Sequence, residues 1–214
     1  MYNKYFKHEK GITGLETAII LIAFVVVAAV FAYTALSAGL FSTQKAQEAV
    51  YSGLKEAQST LELRGGIVAT AGTPGAAGTI KQITFVVSNA LGGDPIDFTE
   101  PSPASANTGI AAVGSSNKVV INYIDSNQTV TNLFWTCVPL GTNDGDDLLE
   151  TGEKFQITIG SDDESQDGGN LLDALATALS VNDTFTLEIM TNAGAVITIE
   201  RTTPAYIDLK MNLH

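Results

Sequence analysis

From Ala18 to Leu36 the chain carries no charge, and Thr34 is the one clearly polar residue in the run. A helix needs roughly 20 such residues, at ~1.5 Å each, to cross a bilayer. The run is too long and too close to the N-terminus for the core helix of a soluble domain. Three fates follow. A signal anchor would stay in the membrane uncut. A secretory signal would be removed after the apolar run, where Ala35-Leu36-Ser37 offers small residues in the required spacing. The third fate is a cut before the run, after Gly11, which leaves the apolar helix on the mature protein. The run exceeds the ~7–15 residues of an ordinary secretory core. Glu16 also favours the third fate, because a carboxylate at the edge of an apolar helix is costly in lipid and calls for a partner. Cleavage between Gly11 and Ile12 would create an amine one helical turn before Glu16.

Lys4, Lys7 and Lys10 directly precede the apolar run. They hold the N-terminus in the cytoplasm and send the remainder outside. The net charge is −12, and loss of residues 1–11 would take it to −14. No basic surface for nucleic acid is present in such a composition. The single cysteine, Cys137, rules out an internal disulfide, so an exported domain must hold together by packing. Cys137 lies in the apolar run Phe134–Val138 and reads as a small core residue.

Beyond the apolar run, residues 42–64 lack proline and are rich in Ala, Gln, Glu and Leu. Ala46, Ala49, Val50, Gly53, Leu54, Ala57 and Leu61 recur at spacings of three and four, the stripe of an amphipathic helix. One helix over 12–64 is therefore expected, ended by Gly65-Gly66 as a cap. Gly39 and Gly53 are the places for a bend or a close helix contact. From residue 67 the composition changes to Thr, Asn, Gly and Val. Short β-type runs appear at Ile80–Ser88, Lys118–Ile124, Val130–Val138, Phe155–Ile159, Phe185–Met190 and Ala195–Arg201, separated by turn clusters. Leu171–Leu179 reads as a short helix. The expected fold class is α+β: a long N-terminal helix over 12–64 followed by an all-β, immunoglobulin-like sandwich over 67–214.

Enzymatic chemistry finds few tools. The two histidines are His8, in the leader, and His214, at the last position. No Ser-His-Asp or Cys-His arrangement is available to a mature domain. The Gly-rich stretch Thr70–Gly78 lacks the Lys-Ser/Thr ending of a phosphate loop. Asn143, Asp144, Asp146, Asp147, Glu150 and Glu153 crowd hard oxygen donors into eleven residues. A solvated acidic loop and a site for a hard cation, Ca²⁺ first, are both consistent with that crowding. A second acidic cluster, Asp162-Asp163-Glu164 with Asp167, reads as a surface loop. Asn127-Gln128-Thr129 and Asn182-Asp183-Thr184 are N-glycosylation sequons, open to use on an exported chain.

Lys10-Gly11-Ile12, Gly14-Leu15-Glu16 and the long Ile/Val/Ala helix together resemble the class III signal of type IV pilin-like proteins. Trp135 leading into Gly145-Asp146-Asp147-Leu148-Leu149-Glu150-Thr151-Gly152-Glu153, and the close at Arg201-Thr202-Thr203-Pro204, resemble an archaellin, the archaeal flagellin. That resemblance implies a cut after Gly11 by a prepilin-type leader peptidase, and assembly roles for Gly14 and Glu16. It implies an extracellular swimming filament whose helical core is residues 12–64 and whose sheath is the β-domain. It also implies a precursor held in the membrane and a membrane motor ATPase that drives assembly. The copies would pair with themselves or with a paralogous subunit. An adhesive type IV-like pilin with a static fibre and a membrane-anchored binding domain remain as alternatives.

Overall fold

A computed structural model describes residues 12–58, 61–90, 93–104, 107–161, 168–192 and 194–213. The chain divides into two compact units, Met1–Ser52 and Gly53–His214.

Helix α1 runs over Ile12–Gln58. It contains no proline, and its hydroxyls do not compete with the helical ladder. Thr17, Thr34 and Thr43 donate to the carbonyls of Gly14, Phe31 and Leu40, three residues back, at 3.0, 2.9 and 2.9 Å. Lys45 and Glu48 form an ion pair at 2.6 Å. Lys55 in the last turn complements the helix dipole.

The expected helix over 12–64 ends early. Leu61–Leu63 is strand β1, although Leu61 fits the three-four spacing of the helix. Tertiary pairing overrides that local preference. Leu61 and Leu63 lie opposite Asn89 and Val87 of a longer strand, and Leu61 is buried. Arg64 then donates its N–H to Val86 O at 2.8 Å. Gly65 and Gly66 form the turn into β2 (Ile67–Thr73), not a helix cap.

The β-rich unit continues through β3 (Thr79–Asn89), β4 (Ile96–Asp97), β5 (Val120–Asp125), β6 (Thr129–Val130), β7 (Trp135–Pro139), β8 (Leu148–Leu149) and β9 (Lys154–Ile159). After a one-turn helix α2 (Leu171–Ala174) come β10 (Thr184–Met190), β11 (Val196–Thr202) and β12 (Lys210–Leu213). A six-stranded sheet has the order β12-β2-β3-β9-β7, with β1 also on β3. A four-stranded sheet has the order β11-β10-β5-β6, and β4 pairs with β8. Both larger sheets are open and every pairing within them is antiparallel.

One contiguous apolar cluster draws on both sheets, with Ile67, Ile83 and Phe85 from the larger and Ile121, Leu187 and Ile199 from the smaller. Alternate residues supply it, as the two-residue strand period requires. Phe98 sits edge-on to Trp135 and Phe155, with ring centroids 5.9 and 5.8 Å apart.

Two further expectations change. The single run Val130–Val138 is cut into β6 and β7, because Asn132 adopts φ 56°. The helix expected over Leu171–Leu179 stops after one turn. The N–H groups of Ala176 and Thr177 donate to Gln128 Oε1 instead of extending the helical ladder, at 2.9 and 3.3 Å.

Gly168 holds φ 123°, and a Cβ there would lie 2.4 Å from the Phe134 ring. Gly168→Ala should therefore cost about 1–3 kcal/mol of stability. Denaturant unfolding followed by the fluorescence of Trp135, the sole tryptophan, measures it. An unchanged midpoint would contradict the packing described.

Candidate assembly helix and outer loops

From residue 14 to residue 55 every position of α1 is exposed within the single chain. The exposed set includes Ile19, Ile20, Leu21, Ile22, Phe24 and Phe31, each more than half accessible. Gly14–Lys55 is long and apolar enough to cross a membrane. Thr34 satisfies its hydroxyl on its own backbone, so it needs no water in an apolar setting. Gly14, Gly39 and Gly53 have nothing within 4 Å of where a Cβ would stand. Among the described residues no contact requires glycine at these three places. Glu16 is exposed. Lys10 and Gly11 lie outside the described residues, as does the side chain of Ile12.

The acidic stretch after β7 is a turn that uses its carboxylates on its own backbone. Asp144 Oδ1 accepts from Asp146 N at 3.3 Å, and Asp146 Oδ1 from Leu148 N at 2.9 Å. Glu153, nearly buried, accepts from Glu150 N at 3.1 Å. Asp147 O receives Phe98 N at 2.8 Å, which docks the loop onto the edge-on ring pair. Among the described residues, Asn143 Nδ2 is buried without a hydrogen-bond partner. Among the described residues no three His, Cys, Asp or Glu side chains converge on a point that could hold a metal. The donors brought together in sequence are thus spread along the turn. Residues 162–167, with the second acidic cluster, lie outside the described residues.

Cys137 is half-buried on β7. Burial, with the Glu100 and Asp147 carboxylates nearby, pushes its thiol up to about 12, so the reactive thiolate is scarce. Its backbone N–H donates to Glu100 Oε1 at 2.5 Å. Nothing in the local sequence marks Glu100 for this role, since the two residues meet only through the fold.

Asn127 stands exposed at the β5–β6 turn. Asp125 Oδ1 accepts from Asn127 N and Gln128 N at 2.6 and 2.9 Å, and Tyr123 OH donates to Asp125 Oδ2 at 2.9 Å. Burial raises the Asp125 carboxyl, but the bonds from Gln128, Asn127 and Tyr123 outweigh it and hold the group below its usual range. The phenol of Tyr123 is pushed far above its usual range, by burial first and then by Asp125. Gln128 ties this turn to the segment after α2, a link the sequence does not announce. Asn182 is also exposed, with φ 57°, and Thr184 of its sequon shares a hydroxyl bond with Thr202 at 2.8 Å. Antiparallel pairing of β10 with β5 brings Phe185 opposite Asp125, so both sequons lie at one end of the four-stranded sheet.

The family model for archaeal-type flagellin matches residues 11–201. Probable flagellin 1 of Archaeoglobus fulgidus is 35% identical over 98% of both chains. Probable flagellin 1 of Aeropyrum pernix is 32% identical over 93% of this chain and 94% of the relative. Among solved structures, the archaeal flagellum of Methanospirillum hungatei strain JF1 is similar with a TM-score of 0.55 and 30% identity, covering 91% of this chain and 99% of that one.

The acidic turn makes a separable expectation. Asp146→Ala removes the acceptor of Leu148 N and should cost about 0.5–1.5 kcal/mol. Thermal unfolding with excess calcium and with a chelator should show the same loss. A loss confined to the calcium sample would assign a metal role to these donors.

Proposed function

Since the chain belongs to the archaeal-type flagellins, we propose that it works as a polymer of cleaved subunits. The protein is the major structural subunit of an archaellum filament and assembles through its N-terminal helix. It is an extracellular filament component and not an enzyme. The finer steps are our reading. A prepilin-type peptidase cuts between Gly11 and Ile12 while α1 still sits in the membrane. A membrane motor ATPase then moves the subunit into the filament base. Copies of α1 form the core, self with self or with a paralogous subunit, and the β-rich unit forms the sheath. The shared core of its two open sheets supports an immunoglobulin-like sandwich. Asn127, exposed on a hydrogen-bonded turn, is the favoured glycan acceptor, with Asn182 second.

One observation carries this reading: α1 buries none of its large apolar surface within its own chain. Lipid and a bundle of like helices both satisfy such a surface. The move from one to the other gains little hydrophobic energy, so packing and polar pairing decide the fit. External energy is then needed for the transfer. Escape from the filament into water is another matter. At roughly 1.5–3 kcal/mol for each large side chain, exposure of the apolar run would cost on the order of 20 kcal/mol. A filament that transmits torque requires that irreversibility.

Gly14, Gly39 and Gly53, open within the chain, suit close approach by a neighbouring helix. Glu16 pairs with the new amine of Ile12, in its own subunit or in the next.

Mass spectrometry of the protein isolated from filaments should find Ile12 as the first residue. A start at Met1 would favour an anchor, and a start at Ala38 an ordinary secreted domain. Glu16→Ala should leave cleavage intact and abolish or shorten filaments seen by electron microscopy. Normal filaments from that variant would remove the role given to Glu16.

A further inference from the structure

The two larger sheets leave four edges, and they are not alike. On β7 the residues whose backbone polar groups point away from β9 are Trp135, Cys137 and Pro139, because Leu140 N bonds to Lys154 O and Gly160 N to Phe134 O, the alternate pairs of the β7–β9 register. Pro139 has no N–H, and the N–H of Cys137 is already held by Glu100. This edge is closed to a further strand. The β6 edge is two residues long and is tied down by Gln128.

The β11 edge is different. Thr203 N bonds to Asp183 O and Thr191 N to Ala195 O, so odd-numbered residues of β11 face β10. Val196, Thr198, Glu200 and Thr202 therefore present their N–H and C=O groups outward. Among the described residues one of these groups has a partner, the Glu200 carbonyl, which accepts from Arg201 Nη1 at 2.7 Å in an exposed bond. The strand is seven residues long, and Val196 is 51% exposed. On β12, Ala71 N bonds to Leu209 O, which leaves Lys210 and Asn212 facing outward. Large apolar side chains flank this edge: Leu209 is 71% exposed and Tyr206 58%.

We propose that β11 of one copy receives β12 of the next copy as an added antiparallel strand, with Glu200 opposite Lys210 and Thr198 opposite Asn212. This rests on the filament reading above and names a contact of the sheath. Three features select the second copy as occupant. First, the outward groups of both strands fall on even-numbered residues, so this register joins every one of them over the shared length. Second, the faces agree: Ile199 and Leu213 are buried while Glu200, Lys210, Thr198 and Asn212 are exposed, so both apolar faces stay on the core side. Third, the charges agree. A chain with 23 acidic and 11 basic residues repels its copies. A carboxylate opposite an ammonium offsets that locally. Pairing requires only that the Arg201 guanidinium swing off the Glu200 carbonyl. The contact is heterologous and leaves a free β11 and a free β12 at the two ends, so it extends without closing. A two-fold contact of β11 with β11 would close after two copies and would lose the charge pair.

The test uses unmodified filaments and a zero-length carbodiimide, which joins a carboxylate to an amine only in direct contact. The expected result is a ladder of dimers, trimers and higher species on a denaturing gel, with a Glu200–Lys210 isopeptide identified by mass spectrometry. Filaments that give no Glu200–Lys210 link, or dimers alone, overturn the strand pairing and leave the filament reading intact. A preparation without filaments overturns both. A second measurement does not depend on the cross-linker. Glu200→Lys and Lys210→Glu should each lower the temperature at which filaments release subunits, and the double exchange should restore it. Losses that simply add in the double variant overturn the pairing.

Discussion

Water does not tolerate the surface of α1, and the rest of the molecule is arranged around that fact. A helix with Ile, Leu, Val and Phe on all sides has no outer face to present to solvent. It must sit in lipid or among other helices. A membrane-held precursor meets that demand in lipid, and on the proposed reading the filament meets it with copies of the helix. The charged residues at the start and end of the helix mark where the apolar setting begins and ends. Thr17, Thr34 and Thr43 show the same economy along the helix, since each hydroxyl returns to its own backbone.

The β-rich unit answers a different problem. It is exported, has no disulfide, and carries an acidic surplus that repels its neighbours. It holds together by a core in which Trp135, Phe98 and Phe155 interlock edge-to-face. Its carboxylates stabilise it most where they accept from backbone N–H groups. Asp125 fixes one turn, Asp144 and Asp146 another, and Asp173 completes the capping box of α2. Acidic residues thus serve both the outer charge and the turns themselves.

Sheet edges connect the two problems. A lone secreted domain should blunt every long edge, because an open ladder recruits other chains. Here β7 is blocked by Pro139 and Glu100, and β6 is short. The length and openness of β11 fit the proposed contact between copies. On the proposed reading, helices in the core and strands in the sheath would divide the work: apolar burial would supply irreversibility, and directional backbone bonds would supply register.

Much of this was legible in the chain. The apolar run, the basic leader and Glu16 define the assembly helix without reference to any other part of the molecule, because burial in lipid or in a helical core acts on local composition. Five of the six expected β-runs match single strands through alternation and turn residues, and the sixth, Val130–Val138, is divided between β6 and β7. Other features were not legible, for one physical reason: they depend on partners distant in sequence. Leu61–Leu63 has helical spacing and becomes a strand because Val87 and Asn89 are there to pair with it. Leu171–Leu179 stops after one turn because Gln128 captures its next N–H groups. Of the donors dense in 143–153, Asp144, Asp146 and Glu153 accept from backbone N–H groups of the same turn. The amino-acid sequence by itself determined the apolar helix, the side of the membrane and the β-rich character of the remainder, since these follow from composition over short windows. Only the tertiary structure decided where α1 ends, which carboxylates are spent on turns and which sheet edge stays open, since each depends on which distant residue arrives to make or deny a hydrogen bond.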